Sequence, residues 1–310
     1  MALLVTKTTS SKATSSVFEK GGITYKSFNV EKSSPPKPLL IVTPTVKGLY
    51  PVILFCHGFY LRNGFYSKLL EHIASHGFIL VAPQFYYWKP ISGPDEVNYA
   101  AKVTDWLSEG LQSLLPEKVE ANLLKLALLG HSRGGKTAFA LALGHAQTKS
   151  KFSVLLGIDP VAGATKGCRT LPHILTYVPQ SFDLSIPVAV IGTGLGSEQS
   201  SCCAPPCAPD GLNHKEFYNE CKPPCAYFVV KDYGHMDMLD DHPPGIVGEL
   251  SGCICKNGKN PRDLMRRSVG GLVVAFLKSY LYGENEDLEA IVADPDLAPA
   301  KLDPVQLVAA

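Results

Sequence analysis

A mostly parallel β-sheet with helices on both faces is the fold this sequence predicts, and three observations predict it. Short apolar runs rich in β-branched residues alternate with amphipathic helical patterns, the signature of successive βαβ units. One strand-to-helix transition is abrupt: the run Leu124 to Leu129 meets Gly130-His131-Ser132-Arg133-Gly134 and passes at once into the alanine-rich helical stretch Lys136 to Leu143. With 310 residues and a 45% hydrophobic composition, the chain can also bury the large core such a sheet requires.

Taken in order, strands are expected at Ile23 to Val30, Leu39 to Val42, Val52 to Phe55 and Phe78 to Ala82, with the helical segment Ser67 to His76 between the last two. Pro35-Pro36-Lys37-Pro38 connects the first pair, since proline cannot serve a central ladder. An amphipathic helix around Val97 to Leu115 precedes the strand at Leu124. Further strands are expected at Val154 to Ile158, Ile186 to Ile191 and Ala226 to Val230. The apolar stretch Val269 to Leu277, continuing from Leu264, reads as a core helix, being too short to span a bilayer. Residues 1–18 are expected to form a tail, 19–283 the catalytic domain, and 284–310 a loosely packed, acidic then Pro- and Ala-rich tail.

Strand, sharp turn and helix around Gly-x-Ser-x-Gly is the arrangement of the α/β-hydrolase fold, which holds a serine hydroxyl clear of the backbone above the sheet. Ser132 is therefore the expected nucleophile. A serine hydroxyl is weak at neutral pH and needs a base, an acid to orient that base, and donors for the oxyanion. Of nine histidines, His235 follows the strand Ala226 to Val230 in a short loop, where this fold presents its base. His57 and His131 belong to the loops around the serine, His72, His76 and His145 to helical patterns, and His173, His214 and His242 to polar or Pro-rich loops. Asp159 ends its strand and is followed by Pro160. Its competitor for the acid is Glu198, beyond the glycine-rich turn Gly192 to Gly196. The aspartate is better held, and holding the base in place is what the acid provides. The oxyanion donors are expected to be the backbone N–H groups of Arg133, next to the nucleophile, and of Phe59, after the strand Pro51 to Cys56.

Five segments together resemble plant chlorophyllases: Cys56-His57-Gly58-Phe59-Tyr60, Gly130 to Gly135, Gly157-Ile158-Asp159-Pro160-Val161, Asn219-Glu220-Cys221-Lys222-Pro223-Pro224-Cys225, and Asp232 to Asp240. The similarity runs from about residue 20 to about residue 283. It implies hydrolysis of the phytyl ester of chlorophyll to chlorophyllide and phytol through an acyl-enzyme, with no metal and no organic cofactor. Carried over position by position, the family's serine, aspartate and histidine fall on Ser132, Asp159 and His235. Two other readings compete: a lipase or acylhydrolase of the same fold, and a non-catalytic carrier of hydrophobic ligands, for which an intact triad would have no use.

A net charge of +1, from 29 basic and 28 acidic side chains, offers nothing to nucleic acid. Without a transmembrane span, contact with membranes would be peripheral. Residues 1–18 hold eight Ser or Thr, two Lys and no acid, which points to a plastid transit peptide and the chloroplast, with the cytosol or an endomembrane association as the alternative. Eight of nine cysteines lie between residues 168 and 255. Local disulfides bracing the loop before His235 and free thiols are both open for the Cys203/Cys207 and Cys221/Cys225 pairs, zinc ribbons normally using tighter Cys-x-x-Cys turns. Cys56 is the expected unpaired thiol. Phe59, Tyr60, Phe65 and Tyr66, then Phe85, Tyr86, Tyr87 and Trp88, follow strands at the catalytic edge and are candidates for a slot that takes a flat macrocycle or isoprenoid chain. Gly192 to Asn213 is a candidate lid.

Overall fold

A computed structural model describes residues 16–31, 34–200 and 205–309. Nine strands form one sheet: β1 (Tyr25–Val30), β2 (Leu39–Pro44), β3 (Gly48–Cys56), β4 (Ile79–Pro83), β5 (Val119–His131), β6 (Val154–Ile158), β9 (Val188–Thr193), β10 (Cys225–Val230) and β11 (Leu302–Val308). A separate hairpin pairs β7 (Gly163–Thr165) with β8 (Cys168–Arg169). The strand order is β1-β2-β4-β3-β5-β6-β9-β10-β11, with neighbours parallel from β4 through β10 in that order and antiparallel at both edges. All of the ordered strands β2, β4, β6, β9 and β10 are buried along their whole length, as parallel strands covered on both faces must be.

Alternation along each strand feeds two cores. Ile53 and Phe55 point to one face, where α1 (Ser67–Ala74) and α6 (Arg262–Tyr282) pack, while Val52, Leu54 and Cys56 point to the other, under α2 (Gly93–Trp106) and α3 (Arg133–Ala142). The expected helix around Val97 to Leu115 starts four residues earlier, because Ser92 caps it through Asp95 N and Pro94 occupies its first turn. It ends at Trp106 in a wide turn, Leu107–Leu111.

Both terminal expectations need correction. The fold begins at Ser16: Val17 and Phe18 are buried against α6, and the rest of the predicted tail, residues 1–15, lies outside the described residues. Residues 284–310 are not loosely packed. They form α7 (Glu286–Ala293), which buries Leu288 and Ile291, and then β11, which pairs antiparallel with β10 from Val230↔Leu302 to Cys225↔Val308. The acidic composition belongs to the outer face of α7, and Pro304 is tolerated because β11 is an edge strand. Three short elements also went unpredicted, the β7–β8 hairpin, α4 (His214–Asn219) and α5 (Gly245–Ile254).

Truncation after Gly283 is therefore expected to give insoluble protein, since it bares the β10 edge and removes the side chains covering α6. Ile291→Ala alone should cost about 2–5 kcal/mol in denaturant unfolding. A soluble truncated protein with unchanged melting temperature would contradict the assignment.

Candidate active site

Ser132 sits between β5 and α3 with φ 56° and ψ −127°, a conformation that L-residues avoid. Close packing enforces it. A Cβ on Gly130 would lie 2.3 Å from Gly134 O, and one on Gly134 would lie 2.2 Å from Cys56 O, so neither position accepts a side chain. The turn is tied to its neighbours by Ser132 N donating to Ile158 O at 3.0 Å and Val161 N donating to Ser132 O at 3.1 Å.

These ties bring the ends of three strands together. Ser132 Oγ is 2.8 Å from His235 Nε2, and His235 Nδ1 is 2.6 Å from Asp159 Oδ2. Asp159 is held in turn by the Thr193 hydroxyl, which donates to Oδ2 at 2.7 Å, and by Thr193 N, which donates to Oδ1 at 3.2 Å. Burial by itself would raise the Asp159 pKa, but the bond and charge of His235, with His214 and Thr193 behind it, hold it down at about 2. Glu198 is exposed on its turn and is not brought to His235. The serine, the aspartate and the histidine are 8%, 0% and 2% exposed, so the hydrogen-bonded chain is dry except at its Ser132 end.

The base loop is fixed from below. Asp237 Oδ2 accepts from Gly234 N and Gly258 N, both at 2.7 Å, while its Oδ1 lies 3.3 Å from Arg262 Nε. His131 Nε2 reaches His235 O at 2.9 Å, and His131 Nδ1 meets the Tyr66 hydroxyl at 2.7 Å. That hydroxyl accepts from Gly58 N, so one chain of bonds joins the loop after β3 to the loop after β10. A Cβ on Gly58 would stand 3.2 Å from Ser132 Cβ, which shows how closely this first loop passes over Ser132. Phe59 N, the next amide, takes part in no hydrogen bond among the described residues.

A family model described as chlorophyllase matches residues 13–309. The chain belongs to the chlorophyllase family. It is 56% identical to Chlorophyllase-1 of Arabidopsis thaliana over 96% of this chain and 94% of that protein. It is 52% identical to Chlorophyllase-1, chloroplastic, of Citrus sinensis over 96% and 90%, and 54% identical to Chlorophyllase-2 of Arabidopsis thaliana over 83% and 82%.

Within this chlorophyllase-family site the two aromatic clusters divide evenly. Phe65, Tyr66, Phe85 and Tyr86 are core, whereas Phe59, Tyr60, Tyr87 and Trp88 are 43–77% exposed. The candidate lid is partly outside the described residues, 201–204, and its described end is packed, with Ala208 and Leu212 buried. The cysteines depart from both local pairings. Cys207 is bonded to Cys255, 48 residues away, while Cys221 and Cys225 are free buried thiols, and Cys202 and Cys203 lie outside the described residues. Cys56 is free and buried, as expected.

The disulfide links the two sides of the site. Beside Cys207, Ala208 N donates to Gly196 O, and Gly196 packs 3.0 Å from Asp159 Oδ2 when given a Cβ. Beyond Cys255, Lys256 O presses on Gly234 and Gly258 N bonds Asp237, which shapes the His235 loop. Sequence reasoning missed Thr193, His131, Tyr66, Asp237 and His214, since their partners are distant in the chain. Asp237 alone left a local trace, an acid two residues after His235 in a turn.

Two predictions follow from these supports. Cys207→Ser, or excess reductant, should lower the unfolding free energy by up to about 4 kcal/mol for a loop of this length and reduce ester turnover; unchanged melting and unchanged turnover would show the link to be idle. His57 and His131 are buried and neutral, burial pushing His57 down to about 4 and His131 well below its ordinary value. A folded pKa below the unfolded value of about 6.5 contributes stability that is complete above that pH and lost as pH falls toward 4. Denaturant unfolding between pH 8 and 4 should show this loss, about 3 kcal/mol for His57 alone, and a flat profile would refute it.

Proposed function

We propose that this chain is a chlorophyllase, a serine carboxylesterase that splits the phytyl ester of chlorophyll into chlorophyllide and phytol. The observation that carries the reading is the continuous hydrogen-bonded chain Ser132–His235–Asp159 at the strand ends of a chlorophyllase-family fold. Ser132 Oγ attacks the ester carbonyl as His235 Nε2 takes its proton. The negative charge that develops on the carbonyl oxygen is met by Phe59 N–H and Arg133 N–H, each such donor being worth about 2.7–4 kcal/mol to the transition state. Collapse breaks the bond to phytol, whose oxygen receives the proton from His235, and leaves the chlorophyllide acyl group on Ser132. Water, deprotonated by His235, then releases the carboxylate and restores the serine. Asp159 keeps the imidazole oriented and steadies its protonated form.

The exposed rings of Phe59, Tyr60, Tyr87 and Trp88 stand beside this chemistry and provide apolar faces for a flat macrocycle or an isoprenoid chain. Among the described residues no helix is long and apolar enough to cross a membrane, and these rings suit peripheral contact with the bilayer in which the pigment dissolves. The Citrus relatives are named chloroplastic, and this chain is assigned to the same compartment.

Purified protein incubated with chlorophyll should produce a green, water-soluble product, and it should do so faster than it cleaves phospholipids or short nitrophenyl esters. Preference for those esters would instead identify a lipase or acylhydrolase. Ser132→Ala and His235→Ala should each cost about 10⁶-fold in kcat, with no further loss in the double variant. Asp159→Asn should cost about 10⁴-fold and Glu198→Gln little; the reverse order would move the acid to Glu198.

A further inference from the structure

Glu96, in the first turn of α2, is a carboxylate with only 1% of its surface exposed, and the catalytic triad makes no use of it. Its Oε2 lies 2.6 Å from Arg133 Nε, while Arg133 Nη2 donates to Ile91 O at 2.7 Å. The Thr137 hydroxyl donates to the same carboxylate at 3.4 Å, which closes its side toward α3. The guanidinium so held lies over the Phe59 ring, 4.9 Å from its centroid. Thus the two residues whose amides are assigned to the oxyanion are clamped side chain to side chain, and the clamp is anchored on a third element, α2.

A second tether acts on the same loop. The Tyr86 hydroxyl, which also faces Glu96, accepts from Tyr60 N at 3.2 Å, and the Tyr86 ring packs against both Phe59 and Tyr60. Tyr60 is held at φ 58°, a strained value for a side chain of that size, directly after the donor amide. Backbone donors have no rotamers, so their aim depends on what fixes the loop, and a misplacement of about 1 Å can cost 10²-fold. In the loop Gly58–Leu61 only Leu61 is anchored in the core, while Phe59 and Tyr60 are 44% and 43% exposed.

We propose that Glu96 is a positioning residue of the oxyanion hole: acting through Arg133 and Tyr86, it sets the separation and direction of the Phe59 and Arg133 amides. The proposal rests on Ser132 being the nucleophile. Arginine suits position 133 because its planar guanidinium meets a carboxylate, a carbonyl and a ring face in one fixed geometry that the point charge of an ammonium does not reproduce.

The test compares Glu96→Gln, Arg133→Lys and Tyr86→Phe with wild type, using chlorophyll turnover and the affinity for a long-chain alkyl trifluoromethyl ketone. That ketone adds the serine oxygen to its carbonyl carbon, the serine proton passes to the base, and the resulting oxyanion occupies the hole. Glu96→Gln and Arg133→Lys should lower kcat by about 10- to 100-fold and leave KM within about two-fold. Ketone affinity should fall by the same factor as kcat/KM, which a merely structural role would not produce. Tyr86→Phe, which deletes a single hydroxyl, should show a smaller loss of the same kind, and it decides the matter if the charge variants fail to fold. Unchanged kcat in the folded variants, or a raised KM with unchanged kcat, overturns the proposal. An active Ser132→Ala protein would instead overturn the underlying catalytic reading, so the two failures are distinguishable.

Discussion

Everything at the catalytic edge depends on one constrained turn. Ser132 can occupy its left-handed conformation only because Gly130 and Gly134 let β5, α3 and the end of β3 approach to contact distance. Such a conformation costs on the order of 1–3 kcal/mol and persists only where the surroundings over-determine it. Here they do: the amide and carbonyl of Ser132 are both engaged by the loop that carries Asp159. The bonds that stabilise the strained serine are the same ones that set its distance to Asp159.

From that turn the site extends outward through buried polar groups that are hydrogen-bonded to one another and to the surrounding loops. Thr193 holds Asp159, Asp237 shapes the His235 loop, and His131 with Tyr66 joins the base loop to the loop of Phe59. Burial makes each of these bonds count, because an unpaired polar group here would cost more than the bond gains. The disulfide Cys207–Cys255 adds a covalent tie between the segments packed on Asp159 and on the His235 loop. Catalytic geometry and local stability are thus held by one network.

Much of this was legible in the sequence, for identifiable reasons. The elbow has a local pattern, because its two glycines and serine stand within five residues even though Gly134 answers to Cys56 on a neighbouring strand, and strands buried on both faces appear as plain apolar runs such as Val154 to Ile158. His235 and Asp159, which the structure brings together with Ser132, could be singled out because strand ends have recognisable punctuation. What stayed hidden was set by distant partners: Thr193 and Glu96 look like ordinary polar residues until β9 and α2 are brought to the site. Cys207 could not be matched with Cys255 because the short spacings to Cys203 and within Cys221/Cys225 suggested nearer partners. Composition misled at the C-terminus, where an acidic, proline-bearing stretch supplies an amphipathic helix and an edge strand, both of which keep polar outer faces.

The most direct measurement of the central claim is the mass of the peptide containing Ser132 after turnover of chlorophyll is quenched in acid within the first catalytic cycle. A covalent acyl adduct of chlorophyllide, freed of magnesium by the acid, is expected on Ser132. Phytol release with Ser132 unmodified, or an adduct on any other residue, would contradict it.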